Sequence, residues 1–146
     1  MESAKGRILI VDDDPHAVEI LTRMLGREGY DCLSAASGAA ALQLVRAQAV
    51  DVILLDVMMP EMDGLQVCER LRQDSELRQI PVILLTAKDD MKTRSRGMAL
   101  GVSEYLTKPV NKRELFLRID AQLHSRELNR KLTETAAAVG DPAKGS

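Results

Sequence analysis

Apolar runs along this chain end repeatedly in a polar side chain. Residues 7–11 lead into Asp12 and Asp13, residues 51–55 into Asp56, residues 80–85 into Thr86, and residues 103–107 into Lys108. Runs that stay apolar at successive positions suit strands buried on both faces, as in a parallel sheet between helix layers. Other stretches carry helical spacing instead. Val18, Leu21 and Leu25 fall 3 and 4 residues apart on one face. The pattern predicts strands at 7–11, 30–35, 51–56, 81–85 and 103–106, and helices at 15–28, 38–47, 65–73, 91–100 and from 112 onward. Five strand–helix alternations of this kind predict a doubly wound α/β fold with a parallel sheet.

Boundary signals agree with these elements. Asp14-Pro15 reads as an N-cap followed by proline at the first helical position. Asp63-Gly64-Leu65-Gln66 and Asn111-Lys112-Arg113-Glu114 both have the form of a capping box. Gly29 and Gly101 stand where helices should stop. The last helix has no Gly or Pro before Gly140, and Gly140-Asp141-Pro142 is expected to break it. The expected organisation is an N-terminal tail (1–6), one domain (7–124), and a helical extension running into a disordered tail (125–146).

Composition narrows the function classes. A chain of 146 residues with 45% hydrophobic content can build one domain with a real core. A net charge of −2 and the lack of a Lys/Arg cluster argue against direct binding to nucleic acid. No apolar stretch approaches the ~20 residues that a membrane span needs. The first six residues are polar, with no signal-peptide core, so the expected location is the cytoplasm. Cys32 and Cys68 fit no metal spacing and read as reduced thiols. His16 and His124 are isolated, and His16 belongs on the surface in the first turn of a helix.

In a parallel sheet, Asp12, Asp13, Asp56, Thr86 and Lys108 would all gather at the C-terminal edge, where open α/β sheets bind ligands. Three carboxylates, a hydroxyl and an ammonium suggest a divalent cation and a phosphoryl group. No GxxxxGK[ST] or GxGxxG occurs, which sets aside nucleotide-binding readings.

Four blocks stand in a recognisable order: Ile8-Leu9-Ile10-Val11-Asp12-Asp13-Asp14, Leu54-Leu55-Asp56-Val57-Met58-Met59-Pro60-Glu61-Met62-Asp63-Gly64, Pro81-Val82-Ile83-Leu84-Leu85-Thr86-Ala87, and Tyr105-Leu106-Thr107-Lys108-Pro109. Together they resemble the receiver domain of bacterial two-component response regulators, over roughly residues 7–124. The resemblance implies a flavodoxin-like five-stranded parallel sheet of order 2-1-3-4-5. It implies that Asp56 accepts a phosphoryl group and that Mg²⁺ is the cofactor. Asp13 and Asp56 would hold the ion directly, Asp12 mainly through a water, and Met58 through its backbone carbonyl. Lys108 and Thr86 would bind phosphoryl oxygens, and Ala87 would leave an in-line path. The Lys108-Pro109 bond would be cis. Thr86 and Tyr105 would form the switch, read out on the face of the fourth helix, fifth strand and fifth helix.

The partners so implied are a sensor histidine kinase or histidine phosphotransfer protein as donor, and an effector domain or protein as output. Catalysis would be limited to the chain's own phosphorylation and dephosphorylation. The side chains of Met58 and Lys88 would tune the phosphoryl lifetime. Ser103-Glu104-Tyr105 and Val110 depart from the commonest family pattern without touching the chemistry. Ala121, Ser125, Leu128, Leu132, Thr135 and Val139 recur at alternating 4 and 3 spacing, a weak coiled-coil seam that suggests a homodimer on activation.

Two rival readings use the same residues. A haloacid-dehalogenase-like phosphatase would take Asp12 as nucleophile and Asp14 as general acid, with Thr86 and Lys108 in its later motifs. It leaves Asp56 unexplained, and no acidic pair follows Lys108 to hold Mg²⁺. A flavin-binding flavodoxin-like module would need a Ser/Thr/Gly-rich loop where this chain has three aspartates.

Overall fold

The structure is a computed structural model that describes residues 5–87 and 90–145, with side chains through residue 132 apart from residue 130. Strands β1 (Arg7–Val11), β2 (Asp31–Ala35), β3 (Val52–Asp56), β4 (Val82–Thr86) and β5 (Glu104–Thr107) alternate with helices α1 (Pro15–Arg27), α2 (Gly38–Ala47), α3 (Gly64–Gln73), α4 (Met91–Ala99) and α5 (Lys112–Gly145). All strand pairs are parallel, and the sheet order is β2-β1-β3-β4-β5. The predicted fold is therefore the observed one. A short 3₁₀ turn at Leu77–Gln79 has no counterpart in the sequence reading. It has no periodicity to betray it, only Asp74, whose side chain accepts from the N–H groups of Glu76 and Leu77.

The sheet separates two apolar layers, and the period of two along each strand decides which residue enters which. Leu9, Val11, Ile53, Leu55, Val82 and Leu84 face α2, α3 and the inner side of α4. Ile8, Ile10, Val52, Leu54, Ile83, Leu85 and Leu106 face α1 and α5, meeting Leu21, Leu25, Leu115 and Ile119. β3 and β4 are buried at every position, as continuous apolar runs require.

The local signals act as their chemistry predicts. Asp14 caps α1, accepting from the N–H of His16 at 3.0 Å, with Pro15 at the first position. Asp63 and Gln66 form a reciprocal capping box on α3. The Asn111 side chain accepts from the N–H of Glu114 at 2.9 Å. Gly29 and Gly101, at φ 97° and 84°, reverse the chain after α1 and α4.

The last helix departs from expectation. Its backbone is helical to Gly145, through the predicted stop at Gly140-Asp141-Pro142. Proline's fixed φ is itself helical, so Pro142 costs a backbone hydrogen bond, about 3 kcal/mol in a helix interior, without forbidding the conformation. At 1.5 Å per residue, α5 is about 50 Å long. Polar ties help hold its middle to the body. The Tyr30 hydroxyl donates to Asp120, and Arg126 Nη1 donates to the carbonyls of Val50 and Asp51 at 2.8 and 2.9 Å. No helix among the described residues is long and apolar enough to cross a membrane.

Gly64 lets α3 begin directly against the end of β3. A Cβ there would lie 2.7 Å from the carbonyl oxygen of Asp56 and 2.9 Å from Cα of Val57, both backbone atoms. Gly64→Ala should therefore lower stability by about 1–3 kcal/mol, the usual cost of overpacking. Urea unfolding of wild type and variant would measure it. An unchanged midpoint would show that the β3–α3 connection yields freely.

Candidate functional site

Buried polar chemistry is concentrated at one edge. Asp12, Asp56 and Thr86, at 2%, 3% and 1% exposure, are the buried polar or charged residues among those described. Each is delivered by a strand end: Asp12 just past β1, Asp56 closing β3 and Thr86 closing β4. Exposed Asp13 follows Asp12, and Lys108 follows β5. The backbone N–H of Lys108 donates to the carbonyl of Thr86 at 2.8 Å, which fixes the post-β5 turn beside β4. The Lys108-Pro109 peptide bond is cis.

The side chains converge. Lys108 Nζ lies 2.6 Å from Asp56 Oδ1 and 3.8 Å from Asp12 Oδ2. Asp12, Asp13 and Asp56 can each offer one carboxylate oxygen, all within 4.8 Å of one another. Asp12 Oδ1 accepts from the N–H of Asp14 at 2.9 Å. Asp12 Oδ2 and Thr86 Oγ1 are buried without a hydrogen-bond partner. Buried polar atoms are nearly always paired, so two such atoms at one edge mark a place built for something else.

Electrostatics points the same way. Burial pushes the Asp56 carboxyl above the ordinary carboxylate value. The Lys108 hydrogen bond opposes that shift, while the charges of Asp12 and Asp13 add to it. Burial works against the Lys108 ammonium as well, yet Asp56 first, then Asp12 and Asp13, hold its pKa above the ordinary lysine value. The two directions describe one imbalance, in which three carboxylates crowd around a single ammonium. Lys108 stays charged, and the carboxylates remain under-compensated. A divalent cation held by oxygen ligands is the natural complement to such a set.

Other predicted residues are placed more loosely. Met58 stands in the β3–α3 connection with its thioether exposed. In the same connection Glu61 adopts a left-handed φ of 67°, uncommon outside glycine. Tyr105 is half-buried against the α2–α3–α4 layer. Ala87 is exposed at the end of β4, and Lys88 lies outside the described residues. His16 is exposed on α1 and stands apart from the acidic cluster. A hollow of about 1140 Å³ lies at the other end of the sheet, beside Asp51, Arg72, Pro81 and Arg126. It contains none of the converging residues, so its size carries no chemical argument.

The sequence reading missed Arg94. Its guanidinium lies 4.7 Å from the Tyr105 ring centroid, and Nη2 donates to Thr107 Oγ1 at 2.7 Å. No motif announces an arginine on α4 as a neighbour of β5; only the packing does.

The model of the response regulator receiver domain matches residues 8–120. The chain belongs to this family. Among similar proteins, the alkaline phosphatase synthesis transcriptional regulatory protein PhoP of Bacillus subtilis is 40% identical over 122 residues, covering 84% of this chain and 50% of its own. The response regulator PleD of Caulobacter vibrioides is 44% identical over 113 residues, covering 77% of this chain and 25% of its own. The receiver thus spans about half the length of the first of these relatives and a quarter of the other. Solved structures agree. The signal receiver domain of a signal transduction histidine kinase from Syntrophus aciditrophicus superposes with a TM-score of 0.77 at 36% identity, covering 82% of this chain and 91% of that one. Chemotaxis protein CheY4 of Vibrio cholerae gives 0.77 at 30%, covering 82% and 100%. The phosphatase alternative is not supported. Asp14, its would-be general acid, is exposed and occupied as the cap of α1, and the acidic cluster includes Asp56.

The raised pKa of Asp56 gives a sign to its effect on stability. The folded state keeps this proton to higher pH than the unfolded chain does, so stability is lost as pH rises from the ordinary carboxylate range through the folded pKa. Asp56→Asn removes that loss. In EDTA at pH 7 the variant should melt above wild type, and the gap should close as pH falls to about 4 and below. A variant melting at or below wild type at pH 7 would mean that the Lys108 contact outweighs burial.

Proposed function

We propose that residues 7–124 form a receiver that accepts a phosphoryl group on Asp56, preceded by a short tail (1–6) and followed by a helical extension from residue 125. The observation that carries the reading is the 2.6 Å contact between Lys108 and the buried Asp56, beside two further aspartates. In the reaction, one Asp56 carboxylate oxygen attacks phosphorus in line. A new P–O bond forms as the bond to the donor's imidazole nitrogen breaks, leaving a neutral histidine once that nitrogen gains a proton. The donor is a phosphohistidine on a sensor histidine kinase or histidine phosphotransfer protein. Phosphoryl transfer asks mainly for positioning and charge neutralisation.

This chain's residues are suited to both. Lys108, already against Asp56, moves onto a phosphoryl oxygen. Thr86 Oγ1, buried and unpartnered, donates to a second. Asp13, Asp56 and the backbone carbonyl of Met58 would ligate Mg²⁺, with Asp12 acting through a water. The ion supplies positive charge for the remaining phosphoryl oxygen. Chemistry is confined to the chain's own aspartate.

Output follows from Thr86 and Tyr105. Withdrawal of the Thr86 hydroxyl toward the phosphoryl leaves space for Tyr105 to turn inward, changing the α4–β5–α5 surface for an effector domain or protein. A second copy of the chain is a further partner on activation. Ala121, Ser125, Leu128 and Leu132 all face solvent along α5, as an unpartnered seam would. The side chains of Thr135 and Val139 lie outside the described residues.

Incubation with acetyl phosphate and Mg²⁺, followed by intact-mass measurement, should give a single phosphoryl adduct in wild type. No adduct should form in Asp56→Asn or when EDTA replaces Mg²⁺. An adduct persisting in Asp56→Asn would remove Asp56 from the mechanism.

Sedimentation with and without beryllofluoride tests the seam. The full chain should dimerise more strongly when activated, and a chain stopped at Ser125 should not. Equal dimerisation of the two would exclude the extension.

A further inference from the structure

We propose that Arg94 is a positioning residue that latches Tyr105 in its resting place, so that the receiver must break this latch to switch. The inference rests on the phosphoacceptor reading of Asp56 given above.

β4 and β5 run in register, with Leu84 opposite Tyr105 and Thr86 opposite Thr107. Residues two apart on a strand share a face. Tyr105 and Thr107 therefore stand side by side with Leu84 and Thr86 on the α4 side of the sheet. Thr86 Oγ1 is buried there without a partner, while Thr107 Oγ1 accepts from Arg94 Nη2 at 2.7 Å. The same guanidinium covers the Tyr105 ring at 4.7 Å from its centroid. One side chain thus holds the ring and the neighbouring hydroxyl at once. A planar fork suits this double grip, since it can stack on an aromatic face and donate in its own plane.

The rest of α4 is lightly held. Its buried residue is Gly97, so little apolar burial fixes the helix to the sheet. An element of this kind moves at small cost, and Arg94 links it to β5. When Thr86 turns toward a phosphoryl group, the space it leaves adjoins Tyr105. The ring enters that space only by sliding out from under Arg94 and abandoning the stack. The latch therefore opposes activation.

Linkage makes the effect measurable, because a contact present only at rest weakens every ligand that favours the switched state. A cation over an aromatic ring and one hydrogen bond together predict that Arg94→Ala binds beryllofluoride about 5- to 20-fold more tightly than wild type. The chain has two tyrosines and no tryptophan, so in a Tyr30→Phe background its emission reports Tyr105 alone. In that background Arg94→Ala should shield Tyr105 from acrylamide before any beryllofluoride is added, lowering the quenching constant about twofold. Arg94→Lys, which keeps charge but loses the planar stack, should fall between wild type and Arg94→Ala. In Tyr105→Ala, adding Arg94→Ala should leave beryllofluoride affinity unchanged.

Unchanged or greater quenching in Arg94→Ala, or affinity equal to or weaker than wild type, would overturn the latch. So would a full effect of Arg94→Ala in the Tyr105→Ala background. If Arg94→Ala shields Tyr105 while beryllofluoride binds neither protein, the latch is supported and the phosphoacceptor reading fails on its own.

Discussion

The buried charge at the C-terminal edge of the sheet is the constraint around which this molecule is organised. Placing Asp12 and Asp56 out of water beside Asp13 is costly for the charged forms. One ammonium, held 2.6 Å from Asp56, offsets part of that cost. A single cation among three carboxylates leaves the site electrostatically incomplete, and that incompleteness is its usefulness. A folded core selected for stability alone would have little reason to leave Asp12 Oδ2 and Thr86 Oγ1 without a hydrogen bond. Here those two atoms and the surplus negative charge together suit the divalent cation and phosphoryl group proposed above.

The sheet makes that arrangement affordable by being thoroughly apolar beneath it. β3 and β4 are buried along their whole length, so Asp56 and Thr86 are fixed by strands with no freedom to relax toward solvent. Gly64 draws the start of α3 against Asp56 and Val57, closing the connection that carries Met58. Along β3 and β4 stability and polar chemistry are therefore separated: apolar residues hold the register, and the terminal Asp56 and Thr86 reach the proposed site.

Much of this was legible in the residues themselves. Apolar runs ending in Asp12, Asp56, Thr86 and Lys108 predicted both the parallel sheet and the gathering of those side chains, because parallel strands place all their C-terminal ends together. Caps at Asp14, Asp63 and Asn111 were legible because a side chain bonding to a backbone two or three residues away is a local event. What escaped was non-local or unsupported by periodicity. The Leu77–Gln79 turn is too short to show a period. The continuation of α5 past Pro142 reverses a rule that expresses a preference rather than a prohibition. Arg94 meets Tyr105 and Thr107 across a gap of 11 to 13 residues that only the packing of α4 on the sheet closes.

The grip of Arg126 on the Val50 and Asp51 carbonyls has a mechanical meaning. It sits partway along α5, at the end of the sheet opposite the aspartates. About 22 Å of helix lies between Lys112 and this point, and about 28 Å between it and Gly145, at 1.5 Å per residue. The helix is thus pinned partway along its length, with its longer stretch running on past Arg126.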